Sequence, residues 1–114
     1  MKLIAILMAA ALAACAPAAP SPADIARAGE ALPADARLAA LYTQSCQACH
    51  GYVGSTAPLT GVRAHWEVRW RQGMPTLLEH TISGFNAMPA GGQCFTCTPE
   101  DYEALIAFMA GRAP

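Results

Sequence analysis

The sequence predicts an all-α fold, a single domain of four to five short helices. Apolar residues recur at i, i+3 and i+4 spacing, and no run alternates with the period of two that a half-buried strand requires. Glycine and proline punctuate the chain at intervals that suit short helices. The 114 residues are enough for one domain, and no internal repeat divides them.

The opening residues read as an export leader. Lys2 precedes an unbroken apolar stretch from Leu3 to Leu12, which is too short to span a bilayer as a helix. An ordinary signal peptide cut after a small residue is one reading. Leu12-Ala13-Ala14-Cys15 also resembles the lipobox of bacterial lipoproteins, in which the cysteine is acylated and becomes the new N-terminus. The expected organisation is a leader over residues 1–14, a lipidated tether over 15–33 and a folded domain over 34–114. The tether is assigned because Pro17, Pro20, Pro22 and Pro33 interrupt an alanine-rich segment with few large apolar groups. Within it, Asp24–Leu32 has the composition of a marginal helix.

The domain then reads helix by helix. Pro33 suits a first helical position, and Leu38, Leu41 and Tyr42 form one face that leads into Cys46. Gly51, Gly54, Pro58 and Gly61 mark a loop. His65 to Gln72 reads as a short helix ended by Gly73. Pro75 opens another, with Leu77, Leu78, Thr81 and Ile82 on one face and Gly84 as its C-cap. Residues 85–97 form a loop. The last helix has Thr98 as N-cap, Pro99 at its first position and the acids Glu100 and Asp101 at its positive end. Its expected apolar face is Tyr102, Leu105, Ile106 and Met109, with Gly111 ending it.

Cys46-Gln47-Ala48-Cys49-His50 carries the chemistry. Cys-x-x-Cys-His is the attachment signature of a c-type haem, since positions i, i+3 and i+4 share one helical face. Two thiols there can bond the two vinyl groups while the imidazole reaches the iron. A thioredoxin-like redox pair, or half a zinc site, preceding a histidine is the competing reading. An electron-transferring iron needs a second axial ligand, for which Met74, Met88, His65 and His80 are the candidates. Met74-Pro75 starts a helix, whereas Met88-Pro89 lies in the Gly-rich stretch from Gly84 to Gly92, a loop able to cross an open haem face. Met88 is therefore the expected ligand.

Five cysteines is an odd count, and each has a destination in an exported protein. Cys46 and Cys49 go to haem, Cys15 takes the lipid, and Cys94 and Cys97 can pair. A second haem at Cys94 is excluded because Thr98 follows Cys97. A zinc site joining the two Cys-x-x-Cys pairs would need a longer gap than zinc ribbons use. Lys2 is the single lysine, so loss of the leader leaves six arginines against eight acids, a net charge of −2. That balance excludes a nucleic-acid binder. No general base, nucleophile or phosphate loop is visible, so no enzyme and no small-molecule substrate are expected.

Taken together, Cys46–His50, Ala57-Pro58-Leu59-Thr60-Gly61, Trp66-Glu67-Val68-Arg69, Gly84, Met88-Pro89, Gly91-Gly92 and Cys94-Phe95-Thr96-Cys97 resemble class I cytochromes c, specifically the cytochrome c5 group of bacteria, over about residues 36–111. The resemblance implies the class I cytochrome c fold with a single haem. It implies His50 and Met88 as axial ligands and a Pro58 carbonyl that accepts a hydrogen bond from the other His50 nitrogen. Trp66 and Arg69 would lie near a haem propionate. Glycine often stands where the first and last helices of this fold cross, and this chain has Leu38-Ala39-Ala40 there, so the crossing should widen or shift onto an alanine.

The expected function is electron transfer by one covalent, low-spin haem c between redox protein partners of a bacterial respiratory chain. The protein would be lipid-anchored on the periplasmic side, with Ala16 after Cys15 favouring the outer membrane by resemblance to other lipoproteins. The alternative is a haem sensor or peroxidase-like protein whose methionine ligand dissociates.

Overall fold

The computed structural model describes residues 19–113, so the leader and Cys15 lie outside the described residues. Among the described residues there are six α-helices and no extended sheet: α1 (Pro22–Glu30), α2 (Ala36–Gln44), α3 (Gln47–His50), α4 (Arg63–Trp70), α5 (Met74–Ser83) and α6 (Pro99–Met109), with a 3₁₀ turn over Ala90–Gln93. One helix exceeds the four to five expected. Helix α1 covers most of the marginal helix read at Asp24–Leu32, and the additional helix arises because α2 does not run on into Cys46. Ser45 breaks the helical path at φ −133°, ψ −68°, and its hydroxyl folds back onto the Leu41 carbonyl at 2.6 Å.

Helix α1 is the marginal helix expected within the tether, and its docking onto the domain is the departure from a free tether. Ser21 caps it through the Asp24 N–H at 3.1 Å, the Asp24 carboxylate returns to the Ser21 N–H at 3.0 Å, and Pro22 occupies the first position. This reciprocal cap orders a segment whose composition alone argues against order. The helix then docks through a small residue: Ala28 is fully buried against Leu59 and Val62, with Ile25 beside it. Pro33 is not the start of α2. Asp35 caps that helix instead, accepting from the Leu38 N–H at 2.8 Å.

Helices α2 and α6 cross over the main core. Tyr42, Trp66, Leu105, Met109 and Ala110 are its buried members, and Leu38, Leu41, Trp70 and Phe108 pack against them. Tyr42 and Phe108 meet edge to face, with ring centroids 5.1 Å apart. Large side chains thus fill the α2 side of the crossing, and the small residue in the cluster is Ala110, the C-cap of α6. The N-terminal ends of the two helices are tied by the Arg37 guanidinium, which donates two hydrogen bonds to Asp101, one at 3.0 Å. Asp101 is buried and also accepts from the Thr98 N–H at 3.1 Å. These donors, the guanidinium foremost, hold its carboxyl down at about 2.

Candidate haem site

A cleft of about 520 Å³ opens between two walls, within the range of cofactor-sized sites. Cys46, Cys49 and His50 form one wall together with Pro58 and Trp66, while Met88 and its loop form the other. Leu105, Ile106 and Met109 of α6 supply an apolar floor.

The His50 wall is built from backbone hydrogen bonds. The ring's Nδ1–H donates to the Pro58 carbonyl at 2.8 Å, and the Thr60 N–H donates to the His50 carbonyl at 2.8 Å. The adjoining loop is fixed in turn: the Trp66 indole N–H donates to the Leu59 carbonyl at 2.8 Å, and the Leu59 N–H donates to His65 Nδ1 at 3.1 Å. Tyr42 and Thr60 join their hydroxyls at 2.8 Å beneath it. His50 is only 7% exposed. Burial, with the Arg69 charge nearby, pushes its pKa down and favours the neutral imidazole, the form that ligates a metal. Burial pushes the Cys46 thiol up.

The Met88 wall is a loop held at three points. Met88 and Phe85 exchange backbone hydrogen bonds at 2.9 and 3.0 Å around Asn86, which sits at φ 52°. The Tyr102 hydroxyl lies within 3.1 Å of the Gly91 carbonyl and 2.8 Å of the Cys94 carbonyl. Cys94 and Cys97 are joined as a disulfide with Cα atoms 5.4 Å apart. Gly92 is required here, because at φ 54° a Cβ would sit 3.0 Å from the Met88 methyl.

The four candidate second ligands fall into two pairs. Met88 and His80 both line the cleft, and His80 stacks flat on Phe85 at 3.9 Å. His65 and Met74 are not on the lining, and His65 has one nitrogen committed to Leu59. Arg69 is the charged arginine on the cleft wall among the described residues and also donates to the His65 carbonyl. Trp66 lines the cleft too, but its indole N–H is taken by Leu59 and is not free for a propionate. Sequence reasoning missed the brace from Tyr102, counted there only as an apolar-face residue. Its register, one turn into α6 and after the paired glycines, was the available signal.

A c-type haem suits this donor set: two free thiols, Cys46 and Cys49, and a neutral, oriented histidine line one cleft with a thioether and the apolar residues of α6. Residues 33–109 match the family described as cytochrome c oxidase, cbb3-type, subunit III. The chain is 40% identical over 68 residues to cytochrome c5 of Azotobacter vinelandii, covering 58% of this chain and 82% of that one. Against cytochrome c5 of Ectopseudomonas mendocina the identity is 36% over 73 residues, 62% of this chain and 84% of the relative. A solved structure described as an electron transfer complex of nitrite reductase with cytochrome c aligns with TM-score 0.60 and 28% identity, over 68% of this chain and 94% of its own. The chain belongs to the class I c-type cytochromes. Within that class it is c5-like, a protein of electron transfer with one covalently bound haem c.

Proposed function

We propose that this chain is a low-spin, single-haem electron carrier with His50 and Met88 as axial ligands and Cys46 and Cys49 as the thioether attachments. One observation supports this most directly: His50 and Met88 line one cleft together with both thiols. When bound, the haem supplies a one-electron ferric–ferrous couple. The protein's part is to hold that group without substrate. The Pro58 carbonyl fixes the His50 ring and raises its basicity. Leu105, Ile106 and Met109 exclude water below, and Arg69 offers positive charge at the rim to an anionic substituent. Methionine ligation favours a high potential, and hence fairly oxidising redox protein partners in a bacterial respiratory chain.

The carrier is proposed to be anchored through Cys15 on the periplasmic side of a bacterial membrane, the outer membrane by the residue that follows it. No helix among the described residues is long and apolar enough to cross a membrane.

Met88→Ala tests the ligand set. The six-coordinate low-spin spectrum is expected to give way to one that binds carbon monoxide readily, with the haem still resisting acid–acetone extraction. An unchanged spectrum, with low-spin character lost instead in His80→Ala, reassigns the ligand. Cys15→Ser is expected to release the protein from membranes with an unaltered haem spectrum; wild-type protein found wholly in the soluble periplasm refutes the anchor.

A further inference from the structure

We propose that helix α1 is a positioning element for His50, a clamp that holds together the two segments joined by the His50–Pro58 hydrogen bond. This rests on the reading of His50 as an axial ligand. Helix α1 ends before residue 33, where the family match begins, so the clamp lies outside the matched residues.

Its C-terminal half touches both segments at once. On one side lies the end of the haem-attachment helix. Gln47 Nε2 donates to the Gly29 carbonyl at 3.3 Å, and a Cβ added at Gly29 would meet the Tyr52 ring at 3.4 Å and the Gly51 carbonyl at 3.6 Å. Gly51 must itself be glycine, because its Cβ would fall 2.8 Å from the Gln47 carbonyl. On the other side lies the loop after Pro58, where Ala28 is fully buried against Leu59 and Val62. Between these two anchor points stand the bonds from His50 Nδ1 to the Pro58 carbonyl and from the Thr60 N–H to the His50 carbonyl. Separation of the segments would lengthen both bonds. A weaker Nδ1–H···O bond makes the imidazole a poorer donor, which disfavours the ferric state and raises the reduction potential.

The test compares the full-length, haem-loaded protein with Ala28→Asp, which places a charge in the buried seat, and with an in-frame deletion of residues 21–31. Ala26→Asp alters the exposed face of the same helix and leaves the seat intact. Both disruptive variants are expected to show an upward shift in reduction potential and faster solvent exchange of the His50 Nδ1–H, while Ala26→Asp stays at wild-type values. A lowered melting temperature with potential and ring-proton exchange unchanged overturns the clamp and leaves α1 a stabilising ornament. Hydrogen exchange on the wild type is a second measurement that needs no variant. The Ile25 and Ala31 amides should share the protection of the Thr60 amide, and unprotected exchange at α1 overturns the proposal. Ferric His50 ring resonances without hyperfine shifts would instead defeat the ligation reading itself, so the two failures are distinguishable.

Discussion

The two walls of the cleft are made differently. Around His50, buried groups are satisfied by one another across three segments: Pro58 takes the ring N–H, Leu59 takes the Trp66 indole and gives to His65, and Thr60 binds both the His50 carbonyl and Tyr42. Around Met88 the chain is largely exposed, two non-glycine residues stand at positive φ (Asn86 at 52°, Gln93 at 62°), and a turn, one tyrosine and one disulfide hold the shape. Buried, mutually satisfied networks rigidify, whereas exposed loops with few apolar contacts open at low free-energy cost. The histidine wall should therefore behave as a fixed seat and the methionine wall as the part that yields first.

The largest change is expected where both walls share a support. Leu105 is 1% exposed, belongs to the core cluster and forms part of the cleft floor. Leu105→Ala should cost about 2–5 kcal/mol and lower haem retention, measured by denaturant unfolding followed at the haem band. A loss well under 1 kcal/mol would mean that the floor is carried by the haem rather than by α6.

Next comes the disulfide. Cys94→Ser with Cys97→Ser should still attach haem and leave the His50 ring resonances in place, while methionine ligation loosens and stability drops by about 2 kcal/mol. Mass spectrometry finding two free thiols in wild-type protein kept from reductants would remove the premise. Equal disturbance of both ligands would erase the contrast between the walls. Tyr102→Phe acts on the same loop with less force. Loss of the hydroxyl contact to Gly91 and Cys94 should cost about 1 kcal/mol and speed carbon monoxide binding, with the potential little changed.

The histidine wall was largely legible in the sequence, and the methionine wall was legible only in outline. Cys46, Cys49 and His50 lie within five consecutive positions and share one helical face, so their chemistry is local and the motif states it. The cap of α6 was equally local: Thr98 and Asp101 satisfy each other's backbone N–H groups in the structure. By contrast, the choice of Met88 over His80 depends on how a loop folds back, and both reach the cleft. Helix α1 was legible only as a marginal helix within a tether, for a different reason. Its alanine and proline content points to a tether, and order comes from a single small residue seated on Leu59 and Val62, a tertiary contact that composition does not encode. The Asp101–Arg37 bond joins residues 64 apart and was likewise out of reach.

That bond gives a prediction of pH dependence. The Asp101 carboxyl is held below its unfolded value, so its contribution to stability is full above about pH 4 and is lost as pH falls through about 2. Arg37 is well exposed, so solvent screens the pair and the effect is small. In Arg37→Gln the acid transition should move to higher pH, with the methionine wall, which adjoins the start of α6, affected before His50. An acid transition identical to that of the wild type would show that Thr98 alone holds Asp101.

The smallest expected effect concerns how a partner approaches the yielding wall. Electron-transfer encounters bury little surface, and charge acts mainly on how fast they form. The chain's positive charge looks concentrated at Arg63, Arg69 and Arg71 when read along the sequence. In the structure, however, Arg63 and Arg71 both face Glu67, at 3.7 and 3.6 Å, and Arg112 joins the same carboxylate at 2.6 Å. Little free positive field is left for steering. Around Met88 the exposed residues are small or apolar, namely Ala87, Pro89 and Ala90, and Phe95 at the tip of the disulfide loop is 92% exposed. Close approach there depends on shape more than on charge. Transfer rates to a redox partner should accordingly change only slightly with ionic strength, and a bulky or charged side chain at Ala87 or Ala90 should slow them more than Arg63→Gln or Arg71→Gln. A steep fall in rate with salt, or a dominant effect of either arginine, would place docking on the charged face of α4 and detach it from the methionine wall.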